Sequence, residues 1–214
     1  FSLTSNGSYS AGDMIQIALD FNEPVTVTSA TSLQLLLDVG VEGAFAGYAQ
    51  GSGTNTITMI YTVSEDQNSH DLNYLGVNAL VSNGSVVRDD SGNESLLLLP
   101  NVDSFESLSG GSNLIVDTGE PYTVFGLESY FYNEEGWGLE GQIYGQSVDS
   151  TSGTELVQIS IQRKSDEKFY NGSNWTTSET WNTAIGTSDW SYSLPPEILQ
   201  NSVAYEISTR SIDV

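Results

Sequence analysis

Cysteine is absent from the 214 residues of this chain. No disulfide framework, thiolate nucleophile or cysteine-type zinc site can therefore form in it. Secreted β-sandwiches of eukaryotes often carry disulfides, whereas this chain has to rely on its hydrophobic core alone. We take this absence to favour an exported bacterial protein.

Basic residues are scarce: five Lys and Arg stand against 28 Asp and Glu, for a formal net charge of -23. Nucleic acid and anionic membrane surfaces are excluded as partners, because both need clustered Lys and Arg. Self-repulsion of this size opposes a compact state, and divalent cations relieve it. The composition therefore predicts calcium as a bound ion and otherwise no cofactor.

Catalytic groups and long apolar runs are scarce as well. The chain has one histidine, His70, and its longest apolar cluster runs only from Leu96 to Leu99. A membrane span needs roughly 18 apolar residues, so we expect no membrane span in this fragment. With a single histidine and no cysteine, the chain has few side chains suited to acid-base or nucleophilic catalysis. We therefore predict that the protein is not an enzyme.

Alternation of apolar and polar residues is the dominant pattern, and it is typical of half-buried strands. Gly- and Asn-rich turn clusters separate the alternating stretches, and no window keeps a helical period for more than a turn or two. The fold class predicted is all-β. The residues predicted to be buried are Ile15, Ile17, Leu19, Leu35, Ile57, Met59, Tyr61, Val63, Val157, Ile159, Ile161, Trp190, Tyr192 and Tyr205.

Glycine and proline interrupt the strand pattern at Asp117-Thr118-Gly119-Glu120-Pro121, between two strand-rich halves. We therefore place one β-sandwich domain at residues 1–118 and a second at 119–214. Acidic residues are spread over both halves, so acidity is a property of the whole chain rather than of a tail.

Several motifs resemble tandem bacterial immunoglobulin-like repeats of large (RTX-type) surface adhesins. In the first half they are residues 9–17 (YSAGDMIQI), 21–28 (FNEPVTVT), 71–74 (DLNY), 89–93 (DDSGN) and 116–118 (VDT). In the second half they are residues 157–163 (VQISIQR), 170–175 (YNGSNW), 190–192 (WSY) and 205–213 (YEISTRSID). The order of these motifs is more specific than any one of them alone.

This resemblance implies two tandem immunoglobulin-like β-sandwiches, the second of them lacking its last strand. It also implies a non-catalytic spacer, or extender, in a cell-adhesion protein at the cell surface or outside the cell, with neighbouring repeats of the same chain as partners. Two alternatives stay open, because sandwiches host several roles. They are a carbohydrate- or protein-binding module of an adhesin, and an accessory domain of a secreted enzyme.

Acidic residues near the domain junction are the candidate metal ligands, since Ca²⁺ takes six to eight oxygen ligands. Asp117 and Glu120 lie in the linker, and Asp71 and Asp89 lie in loops of the first domain. Asp149 and Asp213 lie in the second domain. Related adhesin repeats bind Ca²⁺ at such junctions, so the resemblance implies that the ion stiffens the linker. Solvated surface acid is the alternative interpretation of the same residues.

Aromatic residues are dense between residues 169 and 192, and aromatic rings of this kind stack against sugars. Tyr170, Trp175 and Trp181 are the ligand-binding candidates under the carbohydrate alternative. Aromatic residues also suit strand interiors, so the competing interpretation is that these rings pack within the domain.

Overall fold

Strands and turns make up nearly all of the regular structure, which confirms the all-β class. The computed structural model describes residues 1–29, 32–126, 137 and 141–214. Its longer helical elements are single turns, an α-helical turn α1 at Leu108–Gly111 and a 3-10 turn at Pro196–Ile198. Within this described part, no helix is long and apolar enough to cross a membrane.

The chain divides into two units, Phe1–Gly119 and Glu120–Val214, which we call unit 1 and unit 2. The strands of unit 1 are β1 (Gly7–Tyr9), β2 (Met14–Thr28), β3 (Gln34–Asp38), β4 (Phe45–Gln50), β5 (Thr54–Thr62), β6 (Asn73–Tyr74), β7 (Leu80–Val81), β8 (Val86–Asp89) and β9 (Leu114–Val116). Seven of them form one sheet in the order β6-β3-β4-β5-β2-β8, with β7 also paired to β3, and β1 pairs with β9.

The longest strand of unit 1, β2, pairs with two different strands along its length. Its first half pairs with β5 and its last four residues pair with β8, and the register shifts between Asp20 and Val25. Pro24 lies inside this shift, where the missing N–H of proline costs no ladder hydrogen bond. The sequence pattern breaks at the same place, so one alternating stretch becomes two strand segments.

The core of unit 1 is built from the faces that alternation predicts. Ile57, Met59, Tyr61 and Val63 are all at most 2% exposed, which confirms the prediction for this face. The Tyr61 hydroxyl donates to Gln67 Oε1 over 2.5 Å. Burial raises the pKa of Tyr61 to about 12, so the phenol stays protonated at neutral pH.

Unit 2 consists of two sheets around a second core. Its strands are β10 (Tyr122–Phe125), β11 (Gln142–Val148), β12 (Thr154–Arg163), β13 (Lys168–Tyr170), β14 (Trp175–Thr176), β15 (Asn182–Thr183), β16 (Asp189–Ser193) and β17 (Tyr205–Asp213). One sheet has the order β10-β11-β16, and the other has β14-β13-β12-β15 with β17 on β12. Val157, Ile159 and Ile161 of β12 are fully buried between them, as predicted.

Three residues predicted to be buried are only half-buried. Leu19 directly precedes the register shift of β2, where the ladder is interrupted. Tyr205 lies in β17, which has one partner strand among those described. Tyr192 lies in β16, which pairs with β11 and is joined on its other side by a single described bridge, Ser191–Ile185. Alternation indicates which residues lie on the same face of a strand, but it does not indicate whether neighbouring strands cover that strand on both sides. This explains why residues predicted to be buried are only half-buried.

Candidate functional sites

Asp117 lies directly after β9, at the start of the segment that connects the two units. Its residue surface is 3% exposed. One carboxylate oxygen, Oδ1, accepts the backbone N–H of Gly119 over 2.8 Å, and the Asp117 N–H donates to the Tyr9 carbonyl over 2.9 Å. The Thr118 N–H donates to Asn68 Oδ1 over 2.9 Å. The beginning of the connecting segment is therefore anchored to unit 1.

Asp149 and Asp213 come together within unit 2, although 64 positions separate them in sequence. One carboxylate oxygen of Asp149 lies within 4.8 Å of one of Asp213. Asp149 Oδ1 accepts the N–H groups of Thr151 (2.7 Å) and Gly153 (3.0 Å). Asp213 Oδ1 accepts the Ser152 hydroxyl (2.5 Å) and the backbone N–H of Val214. Two acids next to each other repel, and a cation between them would relieve this.

The carboxylates of Asp89 and Asp71 accept hydrogen bonds within unit 1. Both oxygens of Asp89 accept hydrogen bonds from Asn93, one from its N–H (2.8 Å) and one from its side-chain amide (2.7 Å). These bonds lower the pKa of Asp89 and close the turn after β8. Asp71 is exposed and accepts a long, 3.4 Å bond from Leu114 N–H. Glu120 is exposed at the first position of unit 2.

Among the described residues, Asp71, Asp89 and Glu120 belong to no group of three acids or histidines with ligand atoms close together. The structure therefore brings Asp149 to a second acid, Asp213, within unit 2, and leaves these three apart from any such group. Asp213 ends the motif at residues 205–213, and its proximity to Asp149 depends on the pairing of strands that are remote in sequence.

Tyr170 and Trp175 pack into unit 2. Tyr170 is 4% exposed, and its ring lies 5.5 Å from that of Trp175. The Trp175 ring also lies 5.7 Å from the Tyr205 ring, and the Arg163 guanidinium lies 4.4 Å over it. Arg163 is held by two hydrogen bonds to Asp166, of 2.9 and 2.8 Å. Trp175 is thus enclosed by two rings and a fixed cation.

Trp181 is covered in the same manner on the outer face of β12 and β17. The Arg210 guanidinium lies 4.3 Å over its ring. Two N–H groups of Arg210 donate to Gln158 Oε1, at 2.8 and 2.6 Å, and hold the guanidinium there. A cation over an aromatic face is favourable by about 0.5–1 kcal/mol at exposed sites. Both tryptophans of the carbohydrate alternative therefore already have an arginine on one face.

The first and last strands of unit 1 pair with each other, a feature that the sequence pattern did not reveal. β1 and β9 run parallel, with Gly7 opposite Leu114 and Tyr9 opposite Val116. The Gly7 N–H donates to the Asn113 carbonyl over 3.1 Å, and the Asp117 N–H donates to the Tyr9 carbonyl over 2.9 Å. Three-residue strands more than 100 positions apart give no local signal of their pairing.

The terminal strands of unit 2 are arranged differently. Its first strand, β10, pairs with β11, and its last strand, β17, pairs with β12 in the other sheet. The hydroxyls of Thr123 and Thr209 share a side-chain hydrogen bond of 2.5 Å. No backbone ladder joins β10 to β17 among the described residues.

No protein-family model matches this sequence, and the searches of curated proteins and of solved structures return no match either. The functional argument therefore depends on the residues and the geometry described above.

Proposed function

We propose that this chain is a pair of immunoglobulin-like spacer repeats of an exported bacterial adhesin, without catalytic activity of its own. Such a spacer has to carry tension between the surface that anchors it and the module that binds. The parallel β1–β9 pair of unit 1 is the observation that carries the proposal. It connects β1, which follows the Ser2–Ile17 bridge to β2, to β9, after which the chain leaves unit 1.

Parallel pairing makes this connection resistant to pulling. In two parallel strands, the entry point lies at one end of the ladder and the exit point at the other end. Tension applied through the chain therefore shears all the ladder hydrogen bonds together instead of opening them one at a time. The register pairs Gly7, Ser8 and Tyr9 with Leu114, Ile115 and Val116, so every residue of both strands lies in the loaded ladder.

Single-molecule force spectroscopy tests the proposal. The full chain, flanked by marker domains, should unfold in two events with contour lengths of about 42 nm for unit 1 and about 33 nm for unit 2, at roughly 3.5 Å per residue. We expect the longer event at the higher force, because the described strands of unit 2 include no ladder between β10 and β17. Equal forces for the two events, or a lower force for unit 1, would contradict a tension-bearing role.

A matched pair of variants connects this force to the ladder. In the observed register the Ile115 N–H points toward β1, so Ile115→Pro removes a ladder hydrogen bond, whereas Ile115→Ala shortens the side chain and keeps the N–H. We expect Ile115→Pro to lower the unfolding force of unit 1 well below that of Ile115→Ala. Amide NMR spectra of both variants verify that the unit is folded before it is pulled.

Calcium is the ion that we propose for the acidic residues. Ca²⁺–oxygen distances of about 2.3–2.6 Å place two ligands on opposite sides of the ion up to about 5 Å apart. The Asp149 and Asp213 carboxylate oxygens lie within 4.8 Å of each other, which is compatible with this spacing. The neighbouring donors are carboxylates and a hydroxyl, which are hard oxygen ligands. Asp117, at the start of the connecting segment, is the linker carboxylate that the resemblance assigns to calcium.

Calorimetric melts with Ca²⁺, with chelator and at matched ionic strength test this ion. At about 100 times its Kd, a bound ion adds about 2.7 kcal/mol to stability. We expect Asp149→Asn and Asp213→Asn to remove the Ca²⁺-dependent rise in melting temperature, and Asp117→Asn tests the linker assignment separately. The exposed Glu23→Gln is the control, and it should retain the rise. A rise that monovalent salt reproduces in every variant would indicate general screening instead.

The carbohydrate alternative receives less support from the geometry. A sugar could stack on Trp175 or Trp181 only on the ring faces that Arg163 and Arg210 leave uncovered. Binding of a defined oligosaccharide on a glycan array, abolished by Trp181→Ala, would nevertheless favour a binding module over a spacer.

A further inference from the structure

A groove of about 180 Å³ lies on the outer face of the β12 sheet of unit 2. We call it the β12 groove, and its lining residues are Ser160, Gln162, Phe169, Glu179, Glu206 and Ser208. We propose that the β12 groove binds an alkylammonium ion, the chemical group at the end of a lysine side chain or of a free polyamine. The proposal concerns ligand binding and does not depend on the spacer role.

The groove forms where the strand ladder is interrupted beside Ser160. On one side of β12, β13 pairs with residues 162 and 163 and β15 pairs with residues 158 and 159, so no described strand pairs with Ser160 there. On the other side, Ser208 of β17 lies directly opposite and has an equally small side chain. Two serines therefore lie among longer side chains. The groove lies over β12, on the face of the sheet and not at the outer edge of β17.

The Ser160 hydroxyl is the group that indicates a ligand. Ile159 and Ile161 are fully buried in the core, so alternation directs the side chain of Ser160 to the opposite face of the sheet. Ser160 is nevertheless only 3% exposed, and its hydroxyl has no hydrogen-bond partner within the part of the chain that the structure describes. Buried hydroxyls are normally hydrogen-bonded, so this one is available to a ligand that enters the groove.

The other available groups of the groove are mainly hydrogen-bond acceptors. Glu179 is exposed and forms no hydrogen bond or ion pair with any described residue. The side-chain amide of Gln162 is already bonded at both ends, to the Glu167 carbonyl and to Lys164. Besides the carboxylates, only the serine hydroxyls remain. An alkylammonium has three N–H donors and no acceptor, so it matches this set of groups.

Lys164 shows that an ammonium group is stable beside these residues. Its Nζ lies 2.8 Å from Gln162 Oε1 and 3.1 Å from a Glu206 carboxylate oxygen. The half-buried Phe169 ring gives the groove an apolar wall, against which methylene groups pack and to which a cation is attracted. A divalent metal ion would instead meet this ring and the Lys164 ammonium, and neither of them is an oxygen ligand. The net charge of -23 disfavours anionic ligands.

Amide NMR titration of the full chain with cadaverine, a linear diamine, tests the proposal at constant ionic strength. We expect saturable shifts at the groove residues with a Kd of about 0.1–10 mM, because ion pairs open to solvent are weak. The neutral linear diol of the same length is the control ligand, and it should bind at least about tenfold more weakly. Nα-acetyl-lysine methylamide is the second probe. Binding as tight as that of cadaverine would assign the groove to lysine side chains, and weaker binding would assign it to free polyamines.

A matched pair of acidic residues connects the binding to the groove. Glu179→Gln removes a carboxylate from the lining, whereas Glu155→Gln removes an exposed one roughly 17 Å away along β12. We expect Glu179→Gln to weaken the Kd for cadaverine by about threefold to tenfold and Glu155→Gln to change it by less than about twofold. General attraction to the acidic chain predicts the same small effect in both variants.

A pair of lysines gives a test with the opposite sign. Lys164→Met releases acceptors of Gln162 and Glu206, whereas Lys168→Met makes the same change of charge at a residue that pairs with Asp166. Cadaverine should therefore bind at least about threefold more tightly to Lys164→Met than to Lys168→Met. Equal binding of the diol, the absence of saturable shifts up to about 10 mM, or equal effects within either pair of variants would each overturn the proposal. Tighter binding of Ca²⁺ than of cadaverine at the same amides would overturn it as well.

Discussion

Unit 1 and unit 2 share an all-β architecture, but they close their ends differently. In unit 1 the first and last strands form a parallel ladder with each other. In unit 2 they belong to different sheets, and the last strand has one side without a partner strand among those described. The same class of fold therefore joins the first and last strands of unit 1 by backbone hydrogen bonds and places those of unit 2 in different sheets.

The two cores differ as well. The described part of unit 1 buries 22 apolar residues, mostly Val, Ile and Leu, in a single cluster. The described part of unit 2 buries nine, and two of them are Trp137 and Trp190. Unit 2 instead has four of the five basic residues, and its Arg163 and Arg210 stack on tryptophan rings. Aliphatic burial is thus the main stabilising contribution in unit 1, whereas aromatic rings and charge-assisted contacts contribute more in unit 2.

The largest expected effect comes from deleting one core side chain in each unit. Leu35 and Ile159 are both fully buried, and Leu→Ala or Ile→Ala at such sites costs about 2–5 kcal/mol. Because unit 2 has the smaller described core, we expect Ile159→Ala to collapse the amide NMR dispersion of unit 2 while unit 1 stays folded. Leu35→Ala should lower the melting temperature of unit 1 without unfolding it at 25 °C. The reverse order would mean that aromatic packing makes unit 2 the more stable one.

The second-largest expected effect on stability comes from replacing a glycine in the middle of a strand, one in each unit. A Cβ at Gly145 of β11 would lie 2.0 Å from the Val124 carbonyl oxygen and 2.6 Å from the Trp190 ring, whereas at Gly47 of β4 it would lie 3.9 Å from the Phe45 ring. We expect Gly145→Ala to cost about 1–3 kcal/mol and Gly47→Ala to change stability by less than about 0.5 kcal/mol. Urea unfolding measures both. Equal effects would show that the Val124 backbone and the Trp190 ring can both move aside.

Two ion pairs extend the comparison to charge. Arg163 is 9% exposed, binds Asp166 with two hydrogen bonds and covers Trp175, whereas Arg88 forms an exposed pair with Glu94. We expect Arg163→Met to lower the melting temperature of unit 2 by several degrees. Arg88→Met should leave that of unit 1 almost unchanged, since exposed pairs contribute little. Similar shifts for both would indicate that the stacked guanidinium adds nothing beyond a surface pair.

The smallest expected effect is on the stability of each unit at acidic pH. The hydrogen bonds from Arg163 lower the pKa of Asp166 to about 2, below the ordinary value of 3.8. A carboxyl with a lowered folded-state pKa stabilises the fold above its unfolded pKa and loses that contribution as pH falls through the folded pKa. We therefore expect unit 2 to lose stability between about pH 4 and about pH 2, and Asp166→Asn to flatten this dependence.

The matched acid in unit 1 is Asp89, whose pKa is lowered by Asn93. Asp89→Asn should flatten the acid dependence of unit 1 and leave that of unit 2 as it is. Melting curves recorded from pH 5 to pH 2, about the range in which carboxyls titrate, measure both variants. A change of slope in the wrong unit would contradict the assignment of these two carboxylates.

How much of the fold the sequence predicts is clearest at β5 and β17. The face formed by Ile57, Met59, Tyr61 and Val63 is buried as predicted, because four alternating apolar positions agree and β5 is flanked on both sides. The same period in β17 leaves Tyr205 half-buried, because β12 is its single neighbour among the described strands. The period of a strand is local information, whereas the number of its neighbours is not.

The sequence by itself determined the all-β class, the faces of the strands, the acidic surface and the absence of disulfides, since each depends on residue type or on spacing along one segment. Only the tertiary structure decided that β1 pairs with β9 and that Asp149 lies beside Asp213. It also decided that arginines cover Trp175 and Trp181. These contacts join segments across turns and sheets, and their energies depend on which remote partner is present, which the alternation of one strand does not encode.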